Sequence, residues 1–323
     1  MSNTLFVFKN MHFGHRCGEW GVCTDILKLL PKSCIVISVK PLLKYRGGKS
    51  KEIPIIEKHI PHFNGKYIEP FFGGGALYFH LEPKQAVIND VNAKLMDFYS
   101  GVKTYYPKLR AELNAVQTQY EANRRDFDAL KAQHPAERVE DKNEVLYYEI
   151  RDMFNGIADK KYTDALLYFF INKTAYSGMI RYNAKGEFNV PFGRYPHLNT
   201  ALVTKAHNEL LNATEIYNED YAQIFSRAQS DDFMFLDPPY DCIFSDYGNE
   251  EYKDGFNDAA HEKLAQDFKN LSCKALLVIG KTPLTEKLYG NMVIAEYPKT
   301  YAVNIRNRFK AAANHILVAN YKE

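Results

Sequence analysis

Residues 67–90 decide the fold of this chain, and they read YIEPFFGGGALYFHLEPKQAVIND. Apolar residues 67–68 run into a turn with three consecutive glycines. The apolar segment 76–81 follows, and residues 86–88 lead to Asn89 and Asp90. This order of strand, glycine turn, helix and strand predicts a βαβ unit, and therefore a parallel sheet.

The glycine turn and the acids beside it indicate a nucleoside ligand. Three glycines let the backbone approach a ligand where a Cβ atom would intrude. Asp90 is expected at the tip of the second strand, where its carboxylate can accept hydrogen bonds from ribose hydroxyls. The turn is not G-x-G-x-x-G, and Glu69 would repel a phosphate and attract a cation. The pattern favours a positively charged nucleoside such as S-adenosylmethionine; a purely structural tight turn is the alternative.

The pattern of the chain changes twice after this unit. Between residues 101 and 205 it is helical, because apolar residues recur at spacings of four, three and four at Leu109, Leu113, Val116 and Tyr120. After residue 205 the α/β rhythm returns, with a helix predicted over residues 257–271 and capped by Asn257 or Asp258. Further apolar runs predict strands at residues 215–217, 233–236, 275–279, 292–295 and 316–319.

We therefore expect one α/β domain, formed by residues 41–100 and 206–323, with residues 101–205 inserted as a mainly helical unit. Residues 1–40 form an N-terminal extension of unclear role. His12, His15, Cys17 and Cys23 cluster in it, but their spacing matches no paired zinc pattern, and no metal site is predicted.

The composition is that of an ordinary soluble globular protein. The chain has 323 residues, 46% of them hydrophobic and 25% charged, which excludes a disordered, collagen-like or coiled-coil chain. The net charge of +2 makes any nucleic-acid surface a local feature. Five cysteines suit reduced thiols in a cytoplasmic protein. No apolar run approaches the roughly 18 residues of a membrane span, so no membrane partner is expected.

A second glycine segment, residues 44–50, reads KYRGGKS and ends like a phosphate-binding loop. That loop needs glycine five positions before Gly48, where this chain has Leu43, so an ATPase is not predicted. What remains is a basic turn suited to a carboxylate or a DNA phosphate.

The most informative motif is Asp237-Pro238-Pro239-Tyr240, which directly follows the apolar run 233–236. Two prolines end the strand and stiffen the backbone, so the Asp237 side chain and the Pro238 carbonyl keep a defined relation. Those two acceptors can bind the two hydrogens of an exocyclic amine, and Tyr240 can stack on a planar base. The motif therefore predicts an amine activated for attack on a methyl donor.

Together these motifs resemble the D12 class of DNA adenine-N6 methyltransferases, the Dam-like family, from about residue 41 to the C-terminus. The resemblance implies a Rossmann-like methyltransferase sheet, with an inserted, mainly helical target-recognition domain that carries a β-hairpin. It implies the catalytic residues Asp237, Pro238, Pro239 and Tyr240. It also implies an S-adenosylmethionine site at Tyr45, Lys49, Glu69, Pro70, Phe71, Gly73, Gly75, Asp90, Asp220 and Asp237, with Glu219 a rival to Asp220.

Residues 170–183 and 186–195 closely resemble the DNA-reading hairpin of that family. Residues 171–205 contain five basic residues and one acid, Glu187, which gives a local charge of +4 that can neutralise phosphates. The resemblance implies DNA contacts at Lys173, Ser177, Arg181, Tyr182, Asn183, Lys185, Asn189 and Arg194. The basic residues Lys299, Arg306, Arg308 and Lys310 are expected to follow the phosphates.

The resemblance predicts a site-specific, adenine-specific DNA methyltransferase that flips its target base out of duplex DNA, in the cytoplasm of a bacterial or phage-infected cell. No obligatory protein partner is evident. Several relatives that read GATC have arginine where this chain has Lys185, so GATC does not follow as the target. Three alternatives stay open: a cytosine-N4 methyltransferase, a protein- or RNA-amide methyltransferase, and a catalytically inert DNA-recognition protein.

Overall fold

The structure is a computed structural model that describes residues 39–45, 47–240, 256–300 and 312–322. Its α-helices there are α1 Ile53–Ile56, α2 Ala76–Leu81, α3 Ala93–Thr104, α4 Tyr106–Gln133, α5 Lys142–Phe154, α6 Asp164–Thr174, α7 Lys205–Asn212, α8 Tyr221–Arg227, α9 Asp258–Lys269 and α10 Pro283–Tyr289. Its strands are β1 Tyr67–Glu69, β2 Ala86–Asn89, β3 Thr214–Tyr217, β4 Phe233–Leu236, β5 Lys274–Gly280, β6 Val293–Thr300 and β7 Ala312–Ala319.

The strands form one mixed sheet in the order β3-β2-β1-β4-β5-β7-β6. From β3 to β5 the neighbours run parallel, whereas β7 is antiparallel to both β5 and β6. The chain moves outward from β1 through β2 to β3, then returns to the other side of β1 for β4. In such sheets a ligand site forms beyond the carboxyl ends of the strands where the order reverses. That place here lies between β1 and β4.

Both faces of the sheet are covered by helices. In β4, Phe233 and Phe235 pack into one hydrophobic core with residues of α1 to α7, while Met234 and Leu236 pack into a second core with α8 to α10. Successive side chains of a strand point to opposite faces, so a strand that is apolar throughout belongs in the middle of such a sandwich. The predicted Rossmann-like α/β fold is confirmed.

The predicted elements after residue 205 are found with small changes in their ends. The run 233–236 is β4, and the helix predicted over 257–271 is α9. The Asn257 side chain accepts a hydrogen bond from the backbone of Ala260 at 3.0 Å, so Asn257 is the cap. The strand predicted at 292–295 continues to Thr300, because it pairs with β7 along its length.

The segment between α3 and β3 is built around α6, whose residues are mostly buried. The long helix α4 packs beside it through Leu109, Leu113, Val116 and Tyr120, the four residues that the spacing predicted. Helix α3 runs through the expected boundary at residue 100, and the division into domains stays a prediction.

Within the described ranges, no helix combines the length and apolar character needed to cross a membrane. The same ranges hold no group of three or more His, Cys, Asp or Glu side chains arranged to bind a metal ion. The cluster of His12, His15, Cys17 and Cys23 lies outside the described residues.

Candidate active site

Acidic side chains gather at the edge of the sheet where the parallel strands end. Glu69 is the last residue of β1, Asp90 follows β2, and Asp237 follows β4. Asp220 lies in the loop after β3. Because these strands are parallel, their carboxyl ends share one edge. The predicted cofactor turn and residues 237–240, here called the Asp237 corner, thus lie at the same edge of the sheet.

Two side chains hold the carboxylate of Asp237. Lys49 Nζ lies 2.6 Å from Asp237 Oδ2, and Tyr240 Oη donates to Asp237 Oδ1 at 3.1 Å. The same Lys49 Nζ donates to the Gly47 carbonyl at 2.8 Å and lies 5.0 Å from the centre of the Tyr240 ring. The Lys49 side chain is 3% exposed, whereas that of Asp237 is 21% exposed. The carboxylate is therefore fixed in direction and still accessible.

The glycine turn also makes room for a side chain of the protein itself. A Cβ atom on Gly73 or Gly74 would lie 2.7 or 2.9 Å from atoms of the Tyr45 side chain. Gly73 and Gly75 also have positive φ angles of 49° and 61°, which favour glycine. Gly73 and Gly74 thus leave room for the Tyr45 side chain, which lies against the turn.

The two acids beside this turn, Glu69 and Asp90, are both held by hydrogen bonds but from different partners. Glu69 is 2% exposed and accepts a hydrogen bond from Tyr67 Oη at 2.8 Å. Burial raises the pKa of Glu69 well above its usual value, and the Tyr67 bond only partly opposes this. Asp90 accepts from the backbone of Gly73 at 2.8 Å and of Asn92 at 3.0 Å. Burial raises the pKa of Asp90 as well, and these two hydrogen bonds only partly oppose that increase.

Asn89, the last residue of β2, was missed by sequence reasoning and fixes the loops after the two neighbouring strands, β1 and β3. This residue is 1% exposed. Its Nδ2 donates to the carbonyls of Pro70 and Glu219, both at 3.0 Å, and its Oδ1 accepts from the Glu219 backbone at 2.9 Å. One polar side chain at the end of an apolar strand was the available signal.

The loop after β3 gives Asp220 a local structural contact. Asp220 Oδ1 accepts from the backbone of Ala222 at 2.9 Å and caps α8. The rival acid, Glu219, pairs with Arg227 at 2.6 Å. Near the start of α8, the ring of Phe71 lies 5.3 Å from that of Tyr221 and 6.3 Å from that of Phe256. This aromatic group offers an apolar surface beside the ends of β1 and β3.

The helix α6 is joined to the segment before Lys49 by a two-point contact. Asn172 Oδ1 accepts from the backbone N–H of Lys44, and Asn172 Nδ2 donates to the Lys44 carbonyl, both at 2.8 Å. The next residue, Lys173, lies close to the Lys44 side chain. Burial and the positive charge of Lys44 lower the pKa of Lys173 to about 8. The side chains of Lys44 and Lys173 thus both lie beside the contact between Asn172 and the Lys44 backbone.

Residues 175–192, here called the hairpin, fold back on themselves with antiparallel bridges at Ala175–Phe192 and Tyr182–Phe188. Asn183 closes the turn, because its Oδ1 accepts from the backbones of Lys185 and Glu187 at 2.9 and 3.0 Å. The predicted β-hairpin is thus present as two isolated bridges rather than as continuous strands.

The residues expected to bind DNA differ in exposure and in their partners. Ser177, Arg181, Lys185 and Arg194 are exposed, whereas Lys173, Tyr182, Asn183 and Asn189 are partly buried. Arg181 Nε donates to Asn189 Oδ1 at 2.9 Å, and Arg194 pairs with Glu144 at 3.1 Å.

Of the four tail residues expected at the phosphates, Lys299 is instead bonded to Glu52, with its side chain 17% exposed. Arg306, Arg308 and Lys310 lie outside the described residues.

Comparison with known proteins agrees with this architecture. A family model for the D12 class N6 adenine-specific DNA methyltransferase matches residues 45–303. The chain is 32% identical over 296 residues to the Type II methyltransferase M.CviBI of Paramecium bursaria Chlorella virus NC1A, covering 88% of this chain and 100% of the relative. It is 32% identical over 306 residues to the Type II methyltransferase M.MjaIII of Methanocaldococcus jannaschii, again covering 88% and 100%.

A third relative is the DNA adenine methylase of Salmonella typhi, which is 28% identical over 277 residues, covering 83% of this chain and 88% of the relative. The family match spans most of the chain, from residue 45 to residue 303. The chain therefore belongs to the D12 class of N6 adenine-specific DNA methyltransferases.

Proposed function

We propose that this protein methylates N6 of adenine at a specific site in duplex DNA, with S-adenosylmethionine as the donor and the target base flipped out of the helix. The observation that carries the proposal is the contact of Lys49 and Tyr240 with Asp237, at the end of β4 and beside β1. Family membership supports adenine N6 as the acceptor. The relatives named DNA adenine methylase and Type II methyltransferase support DNA as the substrate.

The residues at this edge fit S-adenosylmethionine. When bound, that molecule supplies an electrophilic methyl group on a positively charged sulfur. Glu69 offers a buried carboxyl group to its positive charges, and Asp90 offers acceptors to its ribose. The aromatic group of Phe71, Tyr221 and Phe256 offers a surface to its adenine. The remaining residues of the proposed site are Tyr45, Lys49, Pro70, Gly73, Gly75, Asp220 and Asp237.

The Asp237 corner suits an exocyclic amine as the nucleophile. The lone pair of such an amine is delocalised into the ring, which makes it unreactive. Asp237 and the carbonyl of Pro238 would each accept one amine hydrogen and so localise the lone pair on nitrogen. A carboxylate has about four acceptor sites, so Asp237 can bind the amine while it stays bonded to Lys49 and Tyr240.

Tyr240 and the hairpin complete the proposed site. The Tyr240 ring would stack on the adenine and hold N6 at the Asp237 carboxylate, which can accept the proton that N6 loses after methylation. N6 inside a duplex is paired and stacked, so the base has to leave the helix to reach a buried site. The exposed Arg181 and Lys185 of the hairpin, and the exposed Arg194 that follows it, would bind phosphates and base edges.

The direct test is to incubate the protein with plasmid DNA and S-adenosylmethionine and to sequence the product for modified bases. We expect N6-methyladenine in one short sequence context, which also gives the recognition site. N4-methylcytosine would instead assign the chain to the cytosine-N4 activity. DNA that is bound but stays unmodified at every salt concentration would indicate an inert recognition protein. Methylation of protein or RNA that duplex DNA does not compete with would contradict the proposal.

A further inference from the structure

Next to the Asp237 corner lies a buried polar group that the proposed mechanism does not use. It consists of Glu52, Tyr297, Lys299 and His315, here called the Glu52 cluster. Glu52 is 4% exposed, Tyr297 6% and His315 0%. Its members come from the start of α1, from β6 and from β7, so the cluster forms only when the antiparallel edge of the sheet has assembled.

The Glu52 carboxylate is the centre of this cluster. Its Oε2 accepts from Tyr297 Oη at 2.7 Å and is bonded to His315 Nδ1 at 2.7 Å, while its Oε1 pairs with Lys299 Nζ. Burial by itself raises the pKa of Glu52. The hydrogen bonds from His315 and Lys299 and the charge of Lys49 outweigh it and lower the pKa to about 2. Glu52 is therefore a buried anion with three partners.

The cluster reaches the Asp237 corner by two routes. The first is the backbone, because the N–H groups of Glu52 and Ile53 donate to the Lys49 carbonyl at 2.7 and 3.1 Å. Lys49 in turn holds Asp237. The second is a ring contact, because the rings of His315 and Tyr240 lie 5.1 Å apart and nearly perpendicular, at 80°. Both residues that hold Asp237 are thus in contact with the cluster, Lys49 through its backbone carbonyl and Tyr240 through its ring.

A buried ion cluster is a poor source of net stability, because the loss of hydration offsets most of the attraction. Such a cluster does fix the orientation of its side chains, since each of its hydrogen bonds requires a particular geometry. The Nδ1 bond to Glu52 sets the plane of the His315 ring, and an edge-to-face contact transmits that orientation to Tyr240. A rotated Tyr240 ring would lose its stacking face and its bond to Asp237.

We propose that Glu52 and His315 are positioning residues, which orient the Tyr240 ring for the flipped adenine and act on the methyl-transfer step rather than on cofactor binding. This inference rests on the proposed function and adds to it a second set of residues, behind the catalytic corner. It also explains why Lys299 lies inside the protein instead of at the DNA phosphates.

The test compares His315→Gln and Glu52→Gln with the wild-type protein. His315→Gln keeps a hydrogen-bond donor but removes the ring, and Glu52→Gln keeps the size of the side chain but removes the charge. The measurements are the single-turnover methylation rate, the Kd for S-adenosylmethionine, and the fluorescence of 2-aminopurine at the target position, which stacking on Tyr240 quenches. We expect each variant to lower the rate about tenfold or more, and the Kd to change by less than about twofold.

The matched control is His207→Gln. His207 is also buried, at 3% exposed, and its two nitrogens are bonded to Thr204 and to the Lys40 carbonyl. This control should lower the melting temperature but leave the rate within about twofold of wild type. If His315→Gln does not fold, Tyr297→Phe removes one donor to Glu52 with little change in packing, and we expect a rate about threefold lower.

The inference is overturned if His315→Gln, or Tyr297→Phe in its place, keeps the wild-type rate and the wild-type quenching of 2-aminopurine. It is also overturned if the affinity for S-adenosylmethionine falls as much as the rate does. A wild-type protein that methylates no adenine would overturn the proposed function and this inference together. An active wild type with fully active variants would overturn this inference alone.

Discussion

The Asp237 edge of the sheet and the hairpin hold their polar side chains in opposite ways. At the sheet edge, buried side chains such as Lys49 and Asn89 bond to groups far away in the chain. In the hairpin, Arg181 and Lys185 are exposed, and the Arg181 guanidinium bonds to Asn189 of the hairpin itself. Chemistry needs atoms at fixed positions, whereas a DNA-reading surface has to adapt to its substrate. Substitutions should therefore affect rate and stability at the edge, and DNA affinity in the hairpin.

The largest effect is expected from Asp237→Ala. Loss of one of the two acceptors for the amine should lower the methylation rate by about 10²–10³-fold or more. DNA affinity, measured by fluorescence anisotropy, should stay close to wild type because the hairpin is intact. The control is Asp128→Ala, which removes an exposed carboxylate paired with Arg124 on α4. Unchanged turnover in Asp237→Ala would refute the catalytic role.

The next largest effect concerns stability in acid. The pKa of Glu52 falls from 4.5 to about 2 in the folded protein. Its stabilising contribution is therefore complete above about pH 4.5 and is lost as the pH falls towards 2, and the difference corresponds to about 3 kcal/mol.

Urea unfolding between pH 7 and pH 3 provides the measurement. The free energy of unfolding of Glu52→Gln should be lower than that of wild type near neutral pH and should vary less in this acid range. If the free energy of unfolding changes with pH by the same amount in both proteins, Glu52 is not the source of the acid sensitivity.

The third prediction tests the raised pKa of Glu69. A protonated Glu69 has to ionise before it can pair with a cationic ligand, so binding of S-adenosylmethionine should release a proton. The affinity should then rise with pH, by at most about tenfold per pH unit, until Glu69 ionises without ligand. Calorimetry in two buffers of different ionisation enthalpy measures the proton. Proton release that persists in Glu69→Gln would assign it to another group.

A smaller effect is expected in the hairpin. Arg181→Ala and Lys185→Ala should each weaken DNA binding several-fold and reduce the slope of log affinity against log salt by about 1. The melting temperature should not change, since both side chains are exposed. Lys269→Ala, an exposed lysine at the end of α9, is the control and should leave binding unchanged. Equal losses of DNA affinity in all three variants would mean that the hairpin binds DNA no better than other basic parts of the surface.

The smallest effect is expected from Glu144→Gln. Glu144 pairs with Arg194 at 3.1 Å, and it would compete with a DNA phosphate for the same guanidinium. An exposed ion pair contributes about 0–1 kcal/mol, so its removal should tighten DNA binding by about twofold to threefold. Weaker binding by this variant would instead mean that Glu144 orients Arg194 for DNA.

The sequence predicted those parts of the fold that depend on neighbouring residues. The strand, glycine turn and strand of residues 67–90, the run 233–236 that forms β4, and the cap at Asn257 are all local patterns. Short apolar runs, glycine turns and helix caps each involve only a few neighbouring residues, so the sequence itself reveals them. The reason for the glycines was not local, because Gly73 and Gly74 make room for Tyr45.

The acids at the sheet edge were also predictable, since a parallel sheet brings the ends of its strands to one edge whatever the details of packing. The hydrogen-bond partners of these acids within the protein were less predictable. Asp220 is engaged in capping α8. Asn89 had no assigned role, although its amide fixes the loops after β1 and β3.

The sequence by itself determined the class of fold, the segments that meet at the acidic edge of the sheet, and the chemistry proposed for the Asp237 corner. Only the tertiary structure decided which distant groups meet. Lys49 and Asp237 are 188 positions apart, Lys44 and Asn172 are 128 apart, and Glu52 and His315 are 263 apart. These pairs depend on the order of the strands and on the packing of α1 and α6 in the core that one face of the sheet shares. That order is set by burying both faces of the sheet at once, and no local pattern in the chain encodes it.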